Sequence, residues 1–130
     1  MLTDRLPERA DVLGLGPGGF HRVAVHHWTP QGRPDRTPAL CVHGLTRTGR
    51  DFDVLAARLA AARRVACPDI AGRGASDWLD AAEHYDNAQY LTDLTAVLAR
   101  MGAREVDWIG TSMGGLLGML MAAKPNTPIR

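Results

Sequence analysis

The segment from Val106 to Ala123 restricts the folding of this chain more than any other. The short strand-like run Val106 to Ile109 leads straight into Gly110-Thr111-Ser112-Met113-Gly114, and the chain stays apolar as far as Ala123. A strand that must become a helix almost at once has little steric room, because the residues on either side of the turning point come nearly into contact. Glycine at Gly110 and Gly114 removes the obstructing side chains, and Ser112 between them is forced into strained backbone angles and stands proud of the sheet. The helix that follows aims its unpaired N–H groups and positive dipole end at whatever reacts there. Because Met113 to Ala123 is apolar all round, this helix reads as buried, with Gly115 and Gly118 letting it approach the sheet closely.

Two earlier runs, Ala39 to Val42 and Arg64 to Cys67, read as short strands buried on both faces. Helical spacing follows each of them. Phe52, Leu55, Leu59 and Ala62 recur within Asp51 to Ala62, and Tyr90, Leu94, Val97, Leu98 and Met101 share a face within Asp86 to Met101. Asp86 with Gln89 three residues on has the form of a capping box, and Gly102 supplies the stop. Nearer the start, Phe20 to Trp28 alternates as a strand. The turn Pro17-Gly18-Gly19 joins it to a short strand around Val12 to Leu15. Thr29 to Pro38 is a surface loop, and Pro68-Asp69 with Gly72-Arg73-Gly74 closes the second buried strand. Strand and helix alternating after a hairpin predict an α/β fold: a mostly parallel sheet after an N-terminal antiparallel hairpin, with helices on both faces.

Composition narrows the function classes. Hydrophobic residues make up 45% and charged residues 22%, as in folded rather than disordered chains. A net charge of +1 without a dense basic cluster argues against nucleic acid. No apolar run reaches the ~18 residues of a membrane span, and Met1 to Ala10 lacks the apolar core of a secretory leader. Cys41 and Cys67, inside strand-like runs far apart in sequence, read as buried free thiols in preference to a disulfide, which suits a cytoplasmic enzyme. The glycines between Gly14 and Gly19 are interrupted by Pro17 and precede a strand, so they form a turn and no dinucleotide loop.

Three motifs in order carry a resemblance. Gly110 to Gly115 (GTSMGG) resembles the nucleophile elbow of the α/β-hydrolase superfamily. His43-Gly44-Leu45 resembles its oxyanion loop, and Asp69 to Asp77 (DIAGRGASD) resembles its turn after the next strand. The likeness runs from about Phe20 onward. It implies that Ser112 is the nucleophile, that the Met113 and Leu45 N–H groups hold the oxyanion, and that His43 and Gly44 shape the oxyanion loop. It also implies a serine-dependent hydrolase of carboxylic esters or related small acyl compounds, with no metal and no organic cofactor. A serine at the elbow sets the chain apart from epoxide hydrolases and haloalkane dehalogenases, which use aspartate there. Cofactor-free haloperoxidases, lactonases, C–C hydrolases and aminopeptidases stay open.

One departure matters. The superfamily orders its triad as serine, acid, histidine, and no Asp, Glu or His follows Ser112 here. The expectation is therefore that residues 1–130 are the N-terminal part of a single domain, cut after the elbow helix where Thr127-Pro128-Ile129-Arg130 enters a next strand. The chain alone would be inactive without a C-terminal half. The alternative is a non-catalytic remnant, or a module needing a second polypeptide. His21, His26, His27 and His84 read as solvated or strand-packed. Asp69 reads as satisfying N–H groups of its own turn, Asp77 as a cap or surface residue, and Asp93 as a helix-face residue.

Overall fold

Strands β1 (Glu8–Gly16) and β2 (Gly19–Trp28) form an antiparallel hairpin closed at Pro17-Gly18, in a computed structural model that describes residues 5–130. Of the N-terminal stretch read as no leader, Met1 to Asp4 lie outside the described residues. β1 is longer than its sequence suggests. Only Val12 and Gly14 on it are buried, so its apolar pattern is thin and pairing with β2 carries the strand on to Glu8.

The remaining strands and α-helices are β3 (Ala39–Val42), α1 (Asp53–Leu59), β4 (Val65–Pro68), α2 (Asn87–Met101), β5 (Asp107–Gly110) and α3 (Met113–Ala122). The sheet runs β1-β2-β4-β3-β5. β2 meets β4 antiparallel, whereas β3 pairs in parallel with both β4 and β5. The chain thus steps from β3 toward the hairpin, then crosses back to the far side of β3. Right-handed connections running in opposite directions put α1 on one face and α2 on the other.

Alternation along the strands divides the core in two. Ala39, Cys41, Val65 and Cys67 face α1, where they meet Phe52, Ala56, Ala57 and Ala60. Leu40, Val42 and Ala66 face the other way, against Leu94 and Val97 of α2 and Leu117 of α3. The α1 face differs from the sequence expectation: Leu55 is exposed and alanines are buried instead. Small residues on both sides let α1 lie close to the sheet at Ala56, Ala57 and Ala60, while Leu59 packs at the edge of the same cluster. The segment is also not one helix, since Gly49–Phe52 is a 3₁₀ turn capped by the Thr48 side chain.

Asp86 caps α2, accepting from Gln89 N–H at 2.8 Å, and Gly102 ends it at φ 65°. The capping box is only half formed. The Gln89 amide turns away to Leu15 O and to the Asp93 carboxylate, 2.8 Å distant. α3 departs further from expectation. Gly114, Leu117, Gly118 and Met121 are buried, but Leu116, Met119 and Leu120 face outward, Met119 with 67% exposed. Only one side of α3 has neighbours among the described residues. Past α3, Ile129 bridges to Val106 in parallel, so residues 127–130 begin to pair along the outer edge of β5.

Candidate active site

In a sheet whose order reverses, the loops after the two diverging strands leave a crevice at their carboxyl ends. Here the reversal lies at β3, and the loops concerned follow β3 and β5. His43-Gly44-Leu45 leaves β3 and Thr111-Ser112 leaves β5, tied by Thr111 N–H donating to Val42 O at 3.1 Å. Gly44 faces the serine closely: a Cβ on Gly44 would lie 3.5 Å from Ser112 Cβ.

Ser112 has φ 51° and ψ −117°, a region that costs a non-glycine residue about 1–3 kcal/mol. The flanking glycines are required by contact. A Cβ on Gly110 would sit 2.4 Å from Gly114 C, and one on Gly114 would sit 1.9 Å from Val42 O. The Trp108 indole N–H holds the far side of the turn, donating to Gly114 O at 3.0 Å. Ser112 O accepts from Gly115 and Leu116, and Thr111 O accepts from Gly114. The Met113 N–H is left without an acceptor among the described residues, as is the Leu45 N–H. The Ser112 hydroxyl is exposed and caps nothing.

His43 is fully buried, and both its ring nitrogens are occupied. Nε2 accepts from Ile70 N–H at 2.9 Å, so the proton sits on Nδ1 and is donated to Gly44 O at 2.6 Å. Burial holds the imidazole below the ordinary histidine range, outweighing the upward pull of Gly44 O and Asp69. A trans peptide points its C=O and N–H in opposite directions. The grip of His43 on Gly44 O therefore sets the direction of the Leu45 N–H.

Sequence reasoning gave Arg73 no role beyond its turn. Arg73 reaches across to this loop, with Nε donating to Leu45 O at 2.9 Å and Nη1 to Ala71 O at 2.9 Å and Tyr90 Oη at 3.0 Å. The only sequence signal was one arginine set between two glycines at the carboxyl end of a buried strand.

The other titratable groups are committed elsewhere. Asp69, 1% exposed, accepts from Ala75 N–H in its own turn, but also from Gly49 N–H and His26 Nε2. Burial alone would raise its carboxyl, yet these three donors bring it below the ordinary aspartate value. Asp93 is no plain helix-face residue: it is buried and bonds His21 Nε2 at 2.7 Å. Both histidines are strand-packed, and His84 pairs with Asp80 in the surface connection. Asp77 sits at the surface, accepting from Arg22 N–H. Cys41 and Cys67 are buried and free on adjacent strands, and the neighbouring Cys41 thiol together with burial pushes the Cys67 thiol up. The fold thus brings together His43, Gly44, Leu45, Gly110, Ser112, Met113 and Gly114. Among the described residues it brings no histidine or carboxylate into hydrogen bonding with the Ser112 hydroxyl.

Residues 37–130 match the family described as alpha/beta hydrolase fold. The chain is 48% identical to the 3-hydroxybutyrate-oligomer hydrolase of Cupriavidus necator, over 95% of this chain and 42% of that protein. Among solved structures it is similar to an alpha/beta hydrolase from Novosphingobium aromaticivorans, with 42% identity and a TM-score of 0.81. That match covers 96% of this chain and 43% of the other. A thioesterase domain from the curacin biosynthetic pathway matches at 25% identity and TM-score 0.78, over 94% of this chain and 44% of the domain. The chain therefore spans less than half the length of each of these relatives.

Proposed function

From the fact that this chain belongs to the alpha/beta hydrolase fold family, we propose that it is the nucleophile-bearing part of a serine hydrolase acting on carboxylic esters or related acyl compounds. Ser112 attacks the carbonyl carbon, its Oγ–C bond forming as the carbonyl π pair moves to oxygen. The Leu45 and Met113 N–H groups hold that oxyanion, the alcohol leaves, and water releases the acid from the acyl-enzyme. One observation carries this reading: a strained serine with an uncapped hydroxyl beside a loop and a helix start that each offer an unpaired N–H. Such donors are worth about 2.7–4 kcal/mol each toward the transition state.

The base that takes the Ser112 proton, and the acid that orients it, come from polypeptide other than these 130 residues. The two ring nitrogens of His43 are already engaged. The same observation supports a second reading, in which these residues act together with a separate chain. The name of the Cupriavidus necator relative makes oligoesters of short hydroxy acids the first substrates to try.

The test uses the longest natural polypeptide that contains these residues. It should hydrolyse p-nitrophenyl butyrate and short hydroxyacyl esters, and Ser112→Ala should lower kcat by about 10⁴-fold or more. Equal slow rates with and without Ser112 would remove the hydrolase reading. Activity that needs a second polypeptide would select the two-chain alternative.

A further inference from the structure

Leu45 is held in an unusual way. Its side chain is 59% exposed, so apolar packing does not fix it. Hydrogen bonds to the peptide groups on its two sides do. The Gly44–Leu45 group is pinned through Gly44 O, which accepts from His43 Nδ1 and from Arg47 N–H at 3.2 Å. The Leu45–Thr46 group is pinned through Leu45 O, which accepts from Arg73 Nε. The Leu45 N–H lies in the first of these two planes, and motion of the second about Leu45 φ and ψ pulls on the first, so the N–H is held still only when both are fixed.

We propose that Arg73 is a positioning residue of the oxyanion site, one that fixes Leu45 by its carbonyl and so keeps the Leu45 N–H aimed at the carbonyl oxygen of the substrate. This rests on the serine-hydrolase reading above. The guanidinium is itself immobilised. Nη1 bonds Ala71 O and Tyr90 Oη, and Cζ lies 5.3 Å from the centre of the Tyr90 ring. Tyr90 is buried on α2 within the main core. The line from core to loop thus runs Tyr90, Arg73, Leu45. A planar fork can meet three acceptors from one fixed position while lying on a ring, and an ammonium on a flexible stem cannot. Lysine at 73 keeps the charge and loses the geometry. Arg73 touches no reacting atom in this role; it acts through Leu45.

The test is made in the longest natural polypeptide carrying these residues, with p-nitrophenyl butyrate as probe. Arg73→Met and Arg73→Lys should each lower kcat about 10- to 100-fold with KM changed less than about threefold. That is part of the ~10²–10³ lost when an oxyanion donor is itself removed. Added methylguanidinium should restore a measurable part of kcat in Arg73→Ala and nothing in the parent, which a purely structural role would not produce. Should Arg73→Met fail to fold, Tyr90→Phe removes one partner of the fork and should lower kcat severalfold at unchanged KM. Unaltered kcat in Arg73→Lys and Tyr90→Phe, with Ser112→Ala inactive, would overturn the role of Arg73 and leave the hydrolase reading standing. A protein equally active with and without Ser112 would instead overturn the reading on which it rests.

Discussion

Gly114→Ala adds one methyl group at the tightest point of the molecule. Its Cβ would lie 1.9 Å from Val42 O, 2.5 Å from Val42 C and 2.9 Å from His43 O, all backbone atoms at the end of β3 and the start of the loop that carries Leu45. Since real Cβ atoms essentially never approach closer than 3.0 Å, the start of α3 and the end of β3 must separate by at least the difference, 1.1 Å. No rotamer change relieves a backbone contact. Overpacking of this kind destabilises by about 1–3 kcal/mol or more, and a 1 Å misplacement at a reacting centre lowers rate by about 10²-fold. Gly115→Ala is the matched control. Its Cβ would meet Gly110 O at 3.4 Å, an ordinary contact, and alanine in a helix gains about 0.5–1 kcal/mol over glycine. In the full natural polypeptide, thermal unfolding and ester hydrolysis should therefore move in opposite senses. Gly114→Ala should unfold several degrees lower with kcat down about 100-fold, while Gly115→Ala should be as stable as the parent or more so, and active. Two variants indistinguishable in both measurements would refute the steric account of the elbow.

Three further outcomes follow from the same structure. Replacing Ser112 by glycine removes the positive-φ strain, so Ser112→Gly should raise stability by about 1–3 kcal/mol in a urea titration while abolishing turnover. Because His43 is held below its ordinary value of 6.5 in the folded state, the unfolded chain binds a proton there first as pH falls. Its stabilising contribution is complete above 6.5 and is lost as pH drops toward the lowered folded value, so urea midpoints should fall from pH 7.5 to 5.0, less steeply in His43→Asn. The buried Cys41 and Cys67, the latter with its thiol pushed up, should resist iodoacetamide in the native protein at pH 8 and react once it is unfolded.

The parts of the fold legible in the sequence are those set by local rules. Apolar runs placed β3 and β4 within a residue, and Asp86 and Gly102 marked the ends of α2 because caps act on their own helix. The strained Ser112 was legible because Gly110 and Gly114 leave one way to make the turn. What escaped depends on neighbours distant in sequence. Gln89 had the right spacing to close a capping box but found the buried Asp93 and the β1 backbone instead. Leu55 fitted the helical period, yet the close approach of α1 to Ala39 and Cys41 selected alanines for the inner face. The reach of Arg73 to Leu45 depends on how the turn after β4 lies over the loop after β3, which no periodicity encodes.

The pairing of β3 with β5 has a consequence for how the molecule assembles. Val42 and Gly110 are partners across the sheet, yet they stand 68 positions apart in the chain, 110 against 42. Closing so long a loop is entropically unfavourable until the contacts it permits are made, and such pairings form slowly. The hairpin, α1 and α2 can form from near neighbours in the chain, whereas the cleft between Leu45 and Ser112 exists only after β5 docks beyond β3. During refolding, ellipticity should therefore recover ahead of this cleft. In partial unfolding, release of β5 would dismantle the cleft while the hairpin and α2 persist, so the proposed reactive centre is a late arrival and an early casualty of the fold.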